Sequence, residues 1–377
     1  MALQPIIYLD YNATTPVAPE VVNEMLPLFL TAYGNPSSGD HILGWQAKEV
    51  VEKARKNLAE NLSVNASEII FTAGATESVN FLLKGLRIKD KKHIITVKTE
   101  HNAVLDTCKL LEMQGYLITY LNVDEEGLID LKELEEAILP NTALVAIMWV
   151  NNETGVIQPM AEIAKLCSSR KLLLMSDATQ AIGKLKVQPK NIGVDIILGS
   201  AHKIYGPKGV GFIYIDKKVQ AIVESLLTGG GQEFKKRAGT LNVPSIAGFA
   251  EAVDIAVRCM QEDENRIEKL RTLFETKLSE RLEIKLNGSR SRLYNTSNIS
   301  FLGYDSERIM QSIGNKVAAS RGSACSTGKI DPSHVLNAMG MSDEEAHSAI
   351  RFSFGRYTTE KEVIAASDII ISAVDAL

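Results

Sequence analysis

The sequence is poor in cysteine: four in 377 residues, none in a CxxC pair. That excludes the common zinc spacings and a disulfide framework, and it points to a reducing, cytoplasmic setting. The chain also lacks any apolar run of the roughly 18 residues a membrane span requires. Its N-terminal MALQPIIYLDYNATTP has no basic region followed by an apolar core, so no secretory signal is expected. With 41 Lys and Arg against 46 Asp and Glu, the net charge is −5 and no long basic cluster exists. Neither nucleic acid nor a membrane is therefore expected as a direct partner. Internal repeats and low-complexity segments are missing too, which removes solenoids and disordered tails.

What remains is ordinary for a globular protein, 45% hydrophobic and 23% charged. The length exceeds the size at which one core usually stops growing, so two domains are expected. Short apolar runs alternate with amphipathic stretches: HIITV (93–97), LITYLNV (117–123), ALVAIMWV (143–150), KLLLMSD (171–177) and DIILGS (195–200). NAVLDTCKLLEMQGY and MAEIAKLCSSR lie between them with helical spacing. This order predicts an α/β fold, a parallel sheet covered on both faces. GPKGVGFIYI (206–215) reads as a turn and a further strand, and a long helix is predicted from about 245 to 282. Strand material near 283–286 and 295–303 then suggests a smaller α+β domain.

In parallel α/β sheets, ligands bind beyond the carboxyl ends of strands. Five successive strand exits carry polar groups. EIIFT is followed by AGATES (73–78), HIITV by KTEHN with His101, and ALVAIMWV by NNETG with Asn151 and Asn152. KLLLM is followed by SDATQ with Asp177 and Gln180, and DIILG by SAHKIYGPKG with Ser200, His202 and Lys203. Singly, each has a local explanation: a helix start, a surface histidine, a turn, a capping aspartate, a solvated lysine. Jointly they describe one chemistry. The helix start after Gly74 suits a phosphate, with Ser200 and His202 as further donors. Lys203 could form a Schiff base with an aldehyde. An aspartate such as Asp177 would keep a pyridine nitrogen protonated so that the ring accepts electrons. His101 could cover the ring, and Asn152 and Gln180 could bind its phenolic oxygen. Together these are the parts of pyridoxal 5'-phosphate.

The cysteines divide into two kinds. Cys108, Cys167 and Cys259 sit at helical offsets from apolar neighbours, whereas Cys325 stands in AASRGSACSTGK (318–329), among residues that cannot bury it. Gly322 and Gly328 around it suggest a mobile loop.

LDYNATTP, YGNPSS, FTAGATES, TEHNAVLDTC, VNNETGVIQP, SDATQAIGK, SAHKIYGPKG, AGTLNVP, GSACSTG and IRFSFGRYTTEKE occur in this order. In these motifs the chain resembles the NifS/IscS-type cysteine desulfurases, fold-type I enzymes of the class V aminotransferase group. The resemblance implies a homodimer that uses pyridoxal phosphate to convert L-cysteine to L-alanine, leaving a persulfide for an acceptor protein. It implies a large cofactor-binding domain at 15–255 and a small domain formed by 1–14 and 256–377, the latter carrying the cysteine loop at about 320–330.

Residue by residue, the resemblance implies Lys203 as the Schiff-base lysine, Asp177 under the ring nitrogen and His101 stacked on the ring. Asn152 and Gln180 fall by the ring oxygen, Asn152 also near substrate. Phosphate ligands fall on the Ala75 backbone, Thr76, Ser200 and His202, with Thr240 supplied by the other subunit. Arg351 would take the substrate carboxylate, where its planar fork allows bidentate binding. Cys325 would accept the sulfur. No metal is implied.

Trp149 stands where many relatives have histidine, and Arg321 where many have a small residue. Arg321 is expected to bring a positive charge near the thiol. The sequence given ends at Leu377, while longer relatives carry a tail that helps dock an iron–sulfur scaffold. Iron–sulfur assembly, tRNA thiolation and DNA phosphorothioation are all open destinations for the sulfur. Selenocysteine lyase is the alternative enzyme on the same residues; a non-catalytic scaffold for acceptor proteins would be expected to have lost one of them.

Overall fold

The computed structural model describes residues 6–322 and 332–377. Its centre is a seven-stranded sheet in the order β2-β8-β7-β6-β5-β3-β4. The strands are β2 (Ile69–Thr72), β3 (His93–Val97), β4 (Leu117–Leu121), β5 (Thr142–Ala146), β6 (Leu173–Asp177), β7 (Ile196–Ser200) and β8 (Gly211–Ile215). Only β8 runs antiparallel to its neighbours, wedged between β2 and β7. All five residues of β3, β5, β7 and β8 are buried, as apolar runs covered on both faces require. The run 143–150 outlasts its strand, β5 ending at Ala146. Beyond it the backbone stays beside β6, with the amides of Ile147 and Trp149 donating to the Met175 and Asp177 carbonyls at 3.1 and 2.9 Å.

Helices α1 (Pro19–Leu30), α2 (Ile42–Leu62), α3 (Ala75–Gly85) and α4 (Asn102–Met113) precede most of the sheet. Val104, Cys108 and Leu111 form the buried stripe of α4, spaced by four and three residues. Cys167 is also buried, but Cys259 is only half-buried. A 37-residue helix, Val243–Ser279, joins two cores. Its first turns, including Ile246, Phe249 and Val253, pack against the central sheet. Its last turns, with Ile267, Phe274 and Leu278, pack against a second sheet. That sheet is antiparallel: β9 (Ile284–Asn287), β10 (Thr296–Phe301) and β12 (Ala349–Ser353), in the order β12-β10-β9. β1 (Ile7–Tyr8) pairs with β11 (Val317–Ala318), which brings the N-terminal segment alongside β12. Among the described residues no helix is long and apolar enough to cross a membrane.

The open edge of β2 is sealed by an ion pair. Arg55 donates to the Ile69 carbonyl at 2.8 Å and, through both terminal nitrogens, to Glu233 at 2.8 and 2.7 Å. Glu233 in turn accepts the Phe71 amide at 2.7 Å. The pair therefore satisfies both a carbonyl and an amide of an edge strand that would otherwise offer them to another chain. Both side chains are almost wholly buried. Arg55→Ala would strand a buried carboxylate, so a loss of about 3–5 kcal/mol is expected. Thermal and chemical unfolding of the variant beside the parent would read it.

Candidate active site

The strand exits open into one cavity of about 820 Å³. At one end lies the start of α3, whose first amides have no upstream carbonyl to pair with. Gly74, the residue before it, has φ +153°, a conformation that L side chains rarely adopt. A β-carbon on Gly211 would lie 2.7 Å from the Gly74 Cα and 2.5 Å from the Gly199 carbonyl oxygen. Antiparallel β8 can press against the β2 exit only because position 211 is glycine. Ala75, Thr76, Ser200 and His202 all line this end, joined by Lys208 from the turn before β8. Burial, reinforced by Lys203 and Lys208, lowers the His202 pKa to about 4. The ring is therefore neutral at pH 7. Nδ1 lies at hydrogen-bond distance from Thr14 Oγ1, 3.1 Å.

Lys203 follows β7 in a short 3-10 turn. Its Nζ donates to the carbonyls of Asn12 and Ala13 at 2.6 and 2.7 Å. Burial, and then the Arg351 charge, lowers its pKa to about 8. About a tenth is thus free amine at pH 7, far more than for an exposed lysine, and the free amine is the form that attacks an aldehyde.

Asp177 ends β6, nearly buried, with Oδ1 accepting the Thr179 amide at 2.9 Å. Behind it Glu100 is buried and accepts the Met148 amide. Burial, aided by Asp177, holds the Glu100 carboxyl well above the usual range. Gln180 lines the cavity, but its amide is engaged at both ends, donating to the Asn12 carbonyl at 3.1 Å and accepting Lys184 at 2.8 Å. His101 is exposed on the cavity wall; its Nδ1 accepts the Ala103 amide at 3.1 Å and so caps α4. Asn152 and Arg351 complete the lining.

Arg351, on β12, is 4% exposed. Nη2 pairs with Asp10 Oδ1 at 2.7 Å and Nη1 donates to the Asn152 carbonyl at 3.1 Å. Its Nε is buried and has no hydrogen-bond partner among the described residues. Such a donor is costly to leave unmet and is matched to a carboxylate. The cavity therefore offers fits for four groups at once: phosphate, aldehyde, a cationic ring nitrogen and carboxylate.

The model of the class-V aminotransferase family matches residues 7–365. The chain belongs to the class-V aminotransferase family. A relative from Rickettsia felis, described as cysteine desulfurase IscS, is 45% identical over 98% of this chain and 92% of its own. A solved structure described as a NifS-like protein superposes with a TM-score of 0.93 at 38% identity, covering 99% of this chain and all of the other. Another, described as SspA in complex with cysteine, gives 0.83 at 36% identity, over 93% and 99% of the two chains. The fold is thus the fold-type I α/β architecture.

In this class-V aminotransferase-family chain, Ala75, Thr76, His101, Asn152, Asp177, Gln180, Ser200, His202, Lys203 and Arg351 share one cavity. Thr240 does not line it and is exposed. Cys325 lies outside the described residues. Asn151 turns inward instead: it donates to the Thr99 carbonyl at 3.0 Å and its Oδ1 accepts the amides of Glu153 and Thr154, both at 2.9 Å. Arg321 pairs with Glu307 at 3.2 Å and does not line the cavity. Reading strand exits missed Asp10, Asn12 and Thr14, which reach the site from the N-terminal segment. Their only signal in the sequence is the motif LDYNATTP.

Proposed function

We propose that this protein is a pyridoxal phosphate-dependent cysteine desulfurase, converting L-cysteine to L-alanine and passing the sulfur to Cys325 as a persulfide. The observation that carries this reading is the joint presence of Lys203 and Arg351 in one cavity, an amine lowered to about 8 and a guanidinium with a free buried donor. Gly322 lines the same cavity, and only Ser323 and Ala324 separate it from Cys325. The naming of the relatives above supports the same substrate.

The cofactor, when bound, would supply an electron sink conjugated to the substrate's Cα. Its phosphate would be held by the start of α3 with Ala75, Thr76, Ser200 and neutral His202, and its ring by Asp177 and His101, with Asn152 and Gln180 at the ring oxygen. Lys203 would bind the aldehyde and, once released, take the Cα proton. Arg351 would orient the substrate through its carboxylate. The overall change balances without an external oxidant. The Cβ–S bond of cysteine breaks and Cβ gains a C–H bond, while an S–S bond forms to Cys325 and one S–H remains. Carbon is reduced and sulfur oxidised.

A homodimer fits the outward face of the chain. Leu26, Phe29, Leu30 and Tyr33 around α1, with Ile42 and Trp45 at the start of α2, are all more than half exposed, Leu26 at 51% and Tyr33 at 67%, and exposed apolar sets of this kind mark interaction surfaces. Thr240, which does not line its own cavity, would serve the partner's. The acceptor is a protein in the cytoplasm whose pathway is open among those that consume persulfide sulfur.

The test follows one turnover of the cofactor-loaded protein with L-cysteine and no reductant. One added sulfur on the Cys325 peptide, with alanine in equal amount, is the expected result. Alanine without the adduct would sink the role of Cys325; neither product would sink the activity.

A further inference from the structure

Glu153, in the NNETG turn, is an acidic group the proposed chemistry leaves unused. It is fully buried, at 0% exposed. Its amide donates to Asn151 Oδ1 at 2.9 Å and its carbonyl accepts Asn298 Nδ2 at 3.3 Å, so its backbone is pinned between the β5 exit and β10. An apolar side chain would fill that space at lower cost than a carboxylate, unless the carboxylate has something to hold.

What it holds is the base of the segment that carries Cys325. Oε2 accepts the Ser333 hydroxyl at 2.6 Å. Gly322 lies over the same oxygen: a β-carbon there would be 3.6 Å from Oε2 and 3.4 Å from the Ser333 Cβ. Its φ of +59° is left-handed, so glycine suits both the space and the backbone. Gly322 and Ser333 are thus neighbours in space, although Cys325 lies between them in sequence. Oε1 is buried with no hydrogen-bond partner among the described residues. Both flanks are also fixed to the cavity wall. Ser320 exchanges backbone hydrogen bonds with Arg351 at 3.1 and 2.7 Å, and His334 Nε2 donates to the Glu100 carbonyl at 3.0 Å.

We propose that Glu153 is a positioning residue for sulfur transfer, its carboxylate holding Ser333 by a hydrogen bond with Gly322 packed beside it, so that both flanks of the Cys325 segment sit against the turn that presents Asn152 to the cavity. Glu153 contacts neither substrate nor cofactor in this role. It acts through Ser333 and Gly322, and the proposal rests on Cys325 being the sulfur acceptor.

The test uses cofactor-loaded Glu153→Ala, Glu153→Gln, Ser333→Ala and the double alanine variant. Persulfide on the Cys325 peptide is timed in a single turnover, alongside cofactor absorbance and half-saturating cysteine. Both single alanine variants should slow persulfide formation by about tenfold or more, since small misplacements of reacting groups are costly. Absorbance and half-saturation should not move. The double variant should be no slower than the singles, because they break one contact. Glu153→Gln keeps an acceptor for Ser333 and should stay within about threefold of the parent. Amide exchange in cofactor-free protein should quicken at Leu336, whose amide donates to Ser333 Oγ at 3.3 Å. If Glu153→Ala fails to fold, Ser333→Ala decides alone. Parental rates in the alanine variants overturn the proposal, as does a Glu153→Gln as slow as Glu153→Ala, which would make charge the agent. A parent protein that makes alanine without the Cys325 adduct defeats the underlying reading, and this proposal with it.

Discussion

Replacing Lys203 by alanine is expected to cut alanine formation from L-cysteine by on the order of 10⁴-fold, the loss of both a covalent anchor and a general base. The absorbance band of the lysine-bound cofactor should disappear with it. Two carbonyls, those of Asn12 and Ala13, would also lose their donor, so a purely structural effect has to be separated. Lys203→Arg does this, because arginine can donate to both carbonyls yet stays charged at any working pH. It should be as inactive as the alanine variant while unfolding close to the parent temperature. Measurable turnover in either would remove Lys203 from the chemistry.

The lowered pKa gives a second readout at the same atom. Burial and the Arg351 charge disfavour the ammonium form and set the midpoint near 8. Below that pH Nζ is protonated and cannot attack an aldehyde; above it the amine is free. Cofactor uptake by cofactor-free protein should therefore rise as pH increases through about 8 and then level. The midpoint should fall further from an exposed lysine's, near 10.4, than any surface residue allows. A rise only above pH 10 would contradict the environment described.

Cys325→Ser is expected to abolish the sulfur adduct on the whole chain while the cofactor band remains. A hydroxyl cannot take up sulfur, and no other thiol is placed to substitute. Cys108 and Cys167 are buried, and burial pushes both up to about 12. Their thiolate fraction at pH 7 is then on the order of 10⁻⁵, and the thiolate is the reactive form. Cys259 is half-buried and does not line the cavity. Mass analysis of all four cysteine peptides after exposure to L-cysteine decides the matter. An adduct that moves to Cys108, Cys167 or Cys259, or steady alanine turnover without one, would show that Cys325 is dispensable.

Much of this site was legible before any coordinates. Apolar runs end where a strand leaves the sheet, and the small polar residues after them mark the exit, which is how Asp177, Ser200 and Lys203 are found. The position of β8 was not legible. It follows β7 in sequence yet inserts between β7 and β2, and so presses Gly211 against Gly74. Asn152 was legible from the NNETG motif, and it lines the cavity while the adjacent Asn151 is folded inward. The partner of Arg321 was not legible either: it is Glu307 on the helix Ser306–Ile313.

The sequence by itself determined the strand and helix order, the polar groups at each exit and the separation of Cys325 from the three helical cysteines, because these depend on local periodicity and turn chemistry. Tertiary structure alone decided which distant groups meet. Asp10 reaches Arg351 across 341 positions, Asn12 and Ala13 hold Lys203, and Glu153 binds Ser333 beside Gly322. Such contacts are set by how sheets and helices pack, and burial then alters the charges that meet there. No window of sequence contains that information.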